Sequence, residues 1–159
     1  MLFACDGTET VNGNNDQENT SPTENNPAGT NPANLTSVTA AVVTGDPGNY
    51  TFSVTIQSPD TGCTQYADWW EVIRPDGSLI YRRILTHSHV TEQPFTRSGG
   101  PVNIVPDDEI IVRAHMNNQG YGEQVLRGSI NQGILAESLD ASFAIELATS
   151  APLPDGCAF

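Results

Sequence analysis

From Leu35 onward, polar and apolar residues alternate with the two-residue period of β-strands. The stretch "SVTAAVV" (37–43) puts Val38, Ala40 and Val42 on one face, and "YTFSVTIQ" (50–57) does the same for Phe52, Val54 and Ile56. Between them "TGDPGN" is dense in turn-forming residues, so the pair predicts a hairpin. A second hairpin is predicted where "QYADWWEVI" (65–73) and "SLIYRRILTHSHV" (78–90) flank "RPDGS". Further strands are expected in "EIIVRAHMN" (109–117), "VLRGSI" (125–130) and "SFAIEL" (142–147). "ILAESLDA" reads as a short helix and "EQPFTRSGGPV" as a long Gly-rich loop, with Phe95 and Arg97 placed to cap a site or form a tip. Seven or so short strands in roughly 125 residues predict an all-β domain of the sandwich class.

A two-residue turn at Asp76-Gly77 fixes a register in which Glu71 faces Arg82 and Trp70 faces Arg83. On that register Ala67, Trp69, Ile73, Ile80, Ile84, Ile110, Val112, Ala114 and Met116 form the core face. The other face carries Tyr66, Asp68, Trp70, Tyr81, Arg83, Ile111, Arg113, Asn117 and all three histidines. It is rich in aromatic and basic groups, and Tyr66, Trp70, Tyr81, Arg83 and Arg113 make it a candidate binding face.

Residues 5–34, "CDGTETVNGNNDQENTSPTENNPAGTNPAN", break the pattern. Val11 is their only large aliphatic residue, too little apolar surface to offset ordering entropy. This segment is therefore expected to be a disordered tether, with residues 1–4 a start or signal remnant and 35–159 the folded domain. The net charge is −13, with 19 acids against 6 arginines and no lysine. Such a chain lacks the charge to neutralise phosphates, which argues against nucleic acid and against an anionic membrane surface. No apolar run is long enough to span a bilayer as a helix.

The opening "LFAC" resembles the end of a bacterial lipobox, with Leu2 and Ala4 in the aliphatic and small positions before Cys5. The resemblance implies a lipid on Cys5, an exported protein of the cell envelope, and membrane contact through that anchor alone. Cys63 and Cys157 are then left as a disulfide pair in an oxidising compartment. "IVPDDEIIVRAHMNNQGYGE" resembles the sixth-strand region of fibronectin type III and related immunoglobulin-like domains, with "ADWWEV" on the third strand. It implies that the third strand lies between the fourth and the sixth, antiparallel to both, which gathers His87, His89 and His115 at one edge.

Three imidazoles with one open position suit copper, or alternatively zinc, with Glu92 or Asp68 as additional oxygen ligands. The His-X-His-X-X-Glu spacing bears a minor resemblance to the first cupin motif, though the interval before the glutamate is short. Copper-zinc superoxide dismutases share the His-X-His but need more ligands than are present. The competing expectation is a non-enzymatic cell-surface module that uses its aromatic and arginine face, or its loops, to hold a protein or glycan partner without metal. Nucleophile-elbow, phosphate-loop and Cys-X-X-Cys motifs are absent.

Overall fold

The computed structural model describes residues 35–158; Cys5 and residues 5–34 fall outside them. The chain forms β1 (Ser37–Asp46), β2 (Asn49–Gln57), β3 (Ala67–Ile73), β4 (Leu79–Ile84) and β5 (Phe95–Val102). These are followed by β6 (Ile110–Met116), β7 (Gly120–Tyr121), β8 (Gln124–Ser129), β9 (Gly133–Ser138) and a 3-10 turn at Ile145–Thr149. The fold is all-β, as the alternation predicts. Among the described residues no helix is long and apolar enough to cross a membrane.

The strands follow one hydrogen-bonded path, β4-β3-β6-β8-β1-β2-β5, with β7 beside β6 and β9 beside β8. A single parallel pair, Ser37 with Gln124, joins β1 to β8. The group β4-β3-β6-β8 therefore packs over β1-β2-β5 as two layers of one sheet. At the far seam β4 and β5 nearly close it into a barrel: the Arg83 Nε donates to the Ser98 carbonyl at 3.2 Å. Gly99 permits that approach, since a Cβ there would lie 2.6 Å from the Tyr81 hydroxyl and 3.0 Å from the Trp70 ring. At the near seam a Cβ on Gly122 would lie 1.7 Å from the Thr36 carbonyl oxygen.

β3 does lie between β4 and β6, antiparallel to both. The Asp76-Gly77 turn sets the expected register, pairing Trp70 with Arg83 and Glu71 with Arg82 before a shift brings Ile73 opposite Leu79. Gly77 sits at φ 86, a conformation that favours glycine. The Asp76 carboxylate closes the turn by accepting from the Ser78 N–H at 2.9 Å.

Several expectations need correction. "FTRSGGPV" is strand β5 paired with β2, not a loop. "GILAES" is strand β9 rather than a helix, and residues 142–147 run through turns into the 3-10 turn rather than forming a strand. The two faces of β3 are also assigned differently. Ala67 pairs with Met116 but Trp69 pairs with His115, so an extra residue at Asp68 shifts the alternation. Ala67, Trp70 and Val72 consequently join Phe52, Val54, Ile56, Val112 and Ala114 in the main core. Trp69 and Ile73 face the other way with Ile111, Tyr121, Val125 and Leu147, and Ile84 packs against that second cluster. Every residue of β3 and of β6 is buried, because the C-terminal segment covers the outer face of the sheet. Burying a large apolar side chain on either face contributes roughly 1.5–3 kcal/mol.

Candidate functional site

The covering segment is held by charge. Glu71 is fully buried and accepts from the Arg82 Nε at 2.7 Å and from the Arg113 Nε at 2.8 Å. Arg82 also donates to the carbonyls of Leu147, Ser150 and Pro152, and Arg113 to those of Phe143 and Ala144. Each guanidinium lies over a ring, Arg82 over Trp69 at 4.5 Å and Arg113 over Tyr121 at 3.5 Å. Burial, and then the Glu71 carboxylate, push the Tyr121 hydroxyl up to about 12. The Glu71–Arg82 pair that the hairpin register brings face to face is thus part of a buried clamp. Arg83 is paired with Trp70 across the strands, but the guanidinium that lies over an indole is that of Arg82, on Trp69.

The candidate binding face is not a surface: Arg113 lies under this cover, while Trp70 belongs to the main core. Tyr66, Trp70 and Arg113 are buried, and Tyr81 is half-buried against Trp70, 5.5 Å between ring centroids. Of that set Arg83 alone is exposed.

The three histidines occupy three environments. His115, on β6, is buried and stacks on Trp69 with centroids 3.7 Å apart. Its Nδ1 lies 2.7 Å from Asp68 Oδ1. Asp68 reaches it through the irregularity in β3, and burial raises the Asp68 pKa above the usual carboxylate value. His87 and His89 lie just past β4, in the connection to β5. Among the described residues no group of three or more His, Cys, Asp or Glu is arranged to hold a metal ion. Glu92 is engaged with Arg97, at 2.8 and 3.2 Å.

His87 and His89 nevertheless share a pocket of about 100 Å³ with Arg83, Thr86 and Arg97. His89 is set rigidly in it. Its backbone N–H donates to Asp60 Oδ2 at 2.8 Å, and its carbonyl accepts from the Gln93 amide at 3.0 Å. Asp60 is itself fixed by the Ser58 hydroxyl and the Ala67 N–H. The His89 ring stacks on Phe95, centroids 3.8 Å apart. Its Nδ1 lies 3.8 Å from Asp60 Oδ2 and has no hydrogen-bond partner among the described residues. Burial, and then the Arg97 charge, hold the His89 pKa below its ordinary value. His87 is exposed; its Nδ1 is 3.1 Å from the Thr86 hydroxyl, and its backbone pairs with Ala158. That pairing is secured by the Cys63–Cys157 disulfide, with the Ala158 N–H donating to the Thr86 carbonyl at 2.6 Å.

Among known proteins, the chain is 43% identical over 77 residues to a protein of Halomicrobium mukohataei named "Putative lipoprotein". The match covers 47% of this chain and 37% of that protein, so the chain spans little over a third of the relative's length. No protein-family model and no solved structure matches.

Sequence reasoning found His87 and His89 as neighbours, and it placed Phe95 and Arg97 where they could cap them. Both do meet the histidines, from a strand: Phe95 stacks on His89 and Arg97 lines the pocket. It missed Asp60, which orders His89 across 29 residues of sequence, and the pairing of β5 with β2. A lone carboxylate in "SPDTG" reads as a turn residue, and the Gly-Gly-Pro run hides the strand.

Proposed function

We propose that this chain is an exported, lipid-anchored protein whose β-domain is a ligand-binding module of the cell envelope. The lipobox-like "LFAC", the polar segment 5–34 as a tether, and the relative named as a lipoprotein support the anchoring. The immunoglobulin-like reading is supported by the strand order, in which β4-β3-β6-β8 pack over β1-β2-β5 as the corresponding strands do in fibronectin type III domains. The disulfide fits an oxidising compartment.

The binding reading is carried by one observation. Four of the chain's nine arginine and histidine side chains line a single pocket on a protein of net charge −13. Copper or zinc is the competing occupant, on the strength of His87 and His89 at that pocket. Two guanidinium groups beside the imidazoles oppose a cation there. The anchoring is tested by intact mass and membrane fractionation of the protein made in its own host. Diacylglyceryl modification on Cys5 with recovery in the membrane fraction supports it; soluble protein carrying an unmodified Cys5 refutes it.

A further inference from the structure

We propose that the pocket of Arg83, Thr86, His87, His89 and Arg97 binds a single small oxyanion group, a carboxylate, sulfate or phosphate. This rests on the ligand-binding reading above and names the chemistry of the ligand. The cavity is small, about 100 Å³, and open on one side, so an oxyanion group can enter it either free or as part of a larger ligand. The polar side chains of its lining residues are all donors or potential donors: two guanidiniums, two imidazoles and a hydroxyl, the last 3.1 Å from the His87 Nδ1.

The donors are available. Arg83 is exposed and commits its Nε to the Ser98 carbonyl, and among the described residues its terminal nitrogens have no carboxylate partner. The guanidinium fork is the side chain best matched to an oxyanion. His89 brings a ring that is buried and clamped on both sides of its backbone; its Nδ1 is enclosed, 3.8 Å from Asp60 Oδ2, which leaves Nε2 as the ring nitrogen for an anion. Such a ring is an ordered element of a site rather than a solvated surface group. Arg97 contributes from the rim, where it already holds Glu92, and both are partly exposed. Glu92 is therefore an internal competitor, a carboxylate on the guanidinium that an incoming anion would use.

The charge around His89 sets a pH dependence. Asp60 and Glu92 face it as negative groups, and Arg97 and His87 as the opposing basic ones. Its lowered pKa leaves the ring neutral at pH 7, and an oxyanion beside it favours the protonated form. Binding favours uptake of a proton, so affinity rises as pH falls.

The test is amide-detected NMR titration of the full chain with sodium sulfate, phosphate, glucuronate and glucose, at constant ionic strength set with sodium chloride. The expected result is saturable shifts at residues 83–89 and 97 with the oxyanions and none with glucose. The anion that saturates lowest distinguishes a carboxylate ligand from a tetrahedral one. Arg83→Gln should weaken binding about tenfold, whereas Glu92→Gln should tighten it by releasing Arg97. Arg74→Gln, at the exposed tip of the β3–β4 hairpin, should change nothing. The proposal is overturned by linear shifts that chloride reproduces, or by binding indifferent to both Arg83→Gln and Glu92→Gln. Glucose binding as tightly as glucuronate also overturns it, while leaving a ligand pocket in place. The anchoring of the protein is untouched by any of these outcomes.

Discussion

Glu71→Gln is the substitution whose cost the structure sets most clearly. The side chain is fully buried and is the only carboxylate that the described structure places against Arg82 and Arg113, at 2.6 and 2.8 Å. Gln keeps the shape but removes the charge, leaving two guanidiniums, both almost fully buried, around a neutral amide. Removing one partner of a buried ion pair costs about 3–5 kcal/mol, and two arginines are stranded here. Replacing the whole cluster with apolar groups offers no escape, because the arginines also satisfy five backbone carbonyls between Phe143 and Pro152. Total domain stability is commonly about 5–15 kcal/mol, so the variant should sit near the edge of folding. In urea, with a slope of about 2 kcal/mol/M, the midpoint should fall by about 2 M at unchanged slope. Hydrogen exchange should show amides 143–152 opening before the sheet does. A midpoint shift below about 0.5 M, with the cover still protected, would refute the clamp.

Other consequences follow from the same structure. The described domain carries far more carboxylates than arginines, so raising sodium chloride from about 0.1 to 1 M should screen self-repulsion and raise Tm by several degrees; a fall in Tm contradicts it. Reducing the Cys63–Cys157 disulfide, 94 residues apart, should cost about 4–5 kcal/mol in the chain-entropy model and release residues 157–158 from His87, measured by melts with and without reductant. Unchanged melts would contradict that. Gly122→Ala drives a Cβ into the Thr36 carbonyl and should lower stability by roughly 1–3 kcal/mol in the same urea assay; an unchanged midpoint would contradict the close approach at that seam. His89 has a folded pKa below its unfolded value, so the unfolded chain binds more protons between the two. Its stability contribution is full above about pH 6.5 and is lost as pH falls through the folded value. His89→Gln should flatten that acid limb in a pH series of melts.

The legible parts of this fold are those where one period governs. β2 alternates cleanly because one face is wet, and the Asp-Gly turn fixes the pairing of β3 with β4 by local chemistry alone; β1 instead changes sides at an irregularity between Val38 and Ala40, so that Ala41 and Val43 pack on the core while Ala40 and Val42, expected there with Val38, are exposed. "ADWWEVI" does not alternate, because β3 is buried on both sides and bulged at Asp68. That put Trp69 and Trp70 on the wrong sides. The cover at 139–152 was hidden for a related reason: "SFAIEL" has a strand-like pattern, yet its carbonyls go to Arg82 and Arg113 rather than to a neighbouring strand. The candidate site was half visible. His-X-His announces two rings close together, but the arginines that decide their chemistry arrive through the closure of β4 against β5. That closure depends on Gly99 lying against Tyr81 and Trp70, a long-range approach that no local pattern encodes.

The sign of a pH dependence decides what His87 and His89 hold. Calorimetric titration of the untagged protein with sulfate and, separately, with Cu(II) should be run at about pH 5.5 and about pH 7.5. An oxyanion pocket predicts sulfate binding that is tighter at the lower pH and abolished or strongly weakened in Arg83→Gln. A metal centre predicts the reverse, because imidazoles must lose their protons to coordinate. Cu(II) binding at one equivalent that strengthens with pH and disappears in His87→Ala, with no sulfate binding at either pH, would contradict the account.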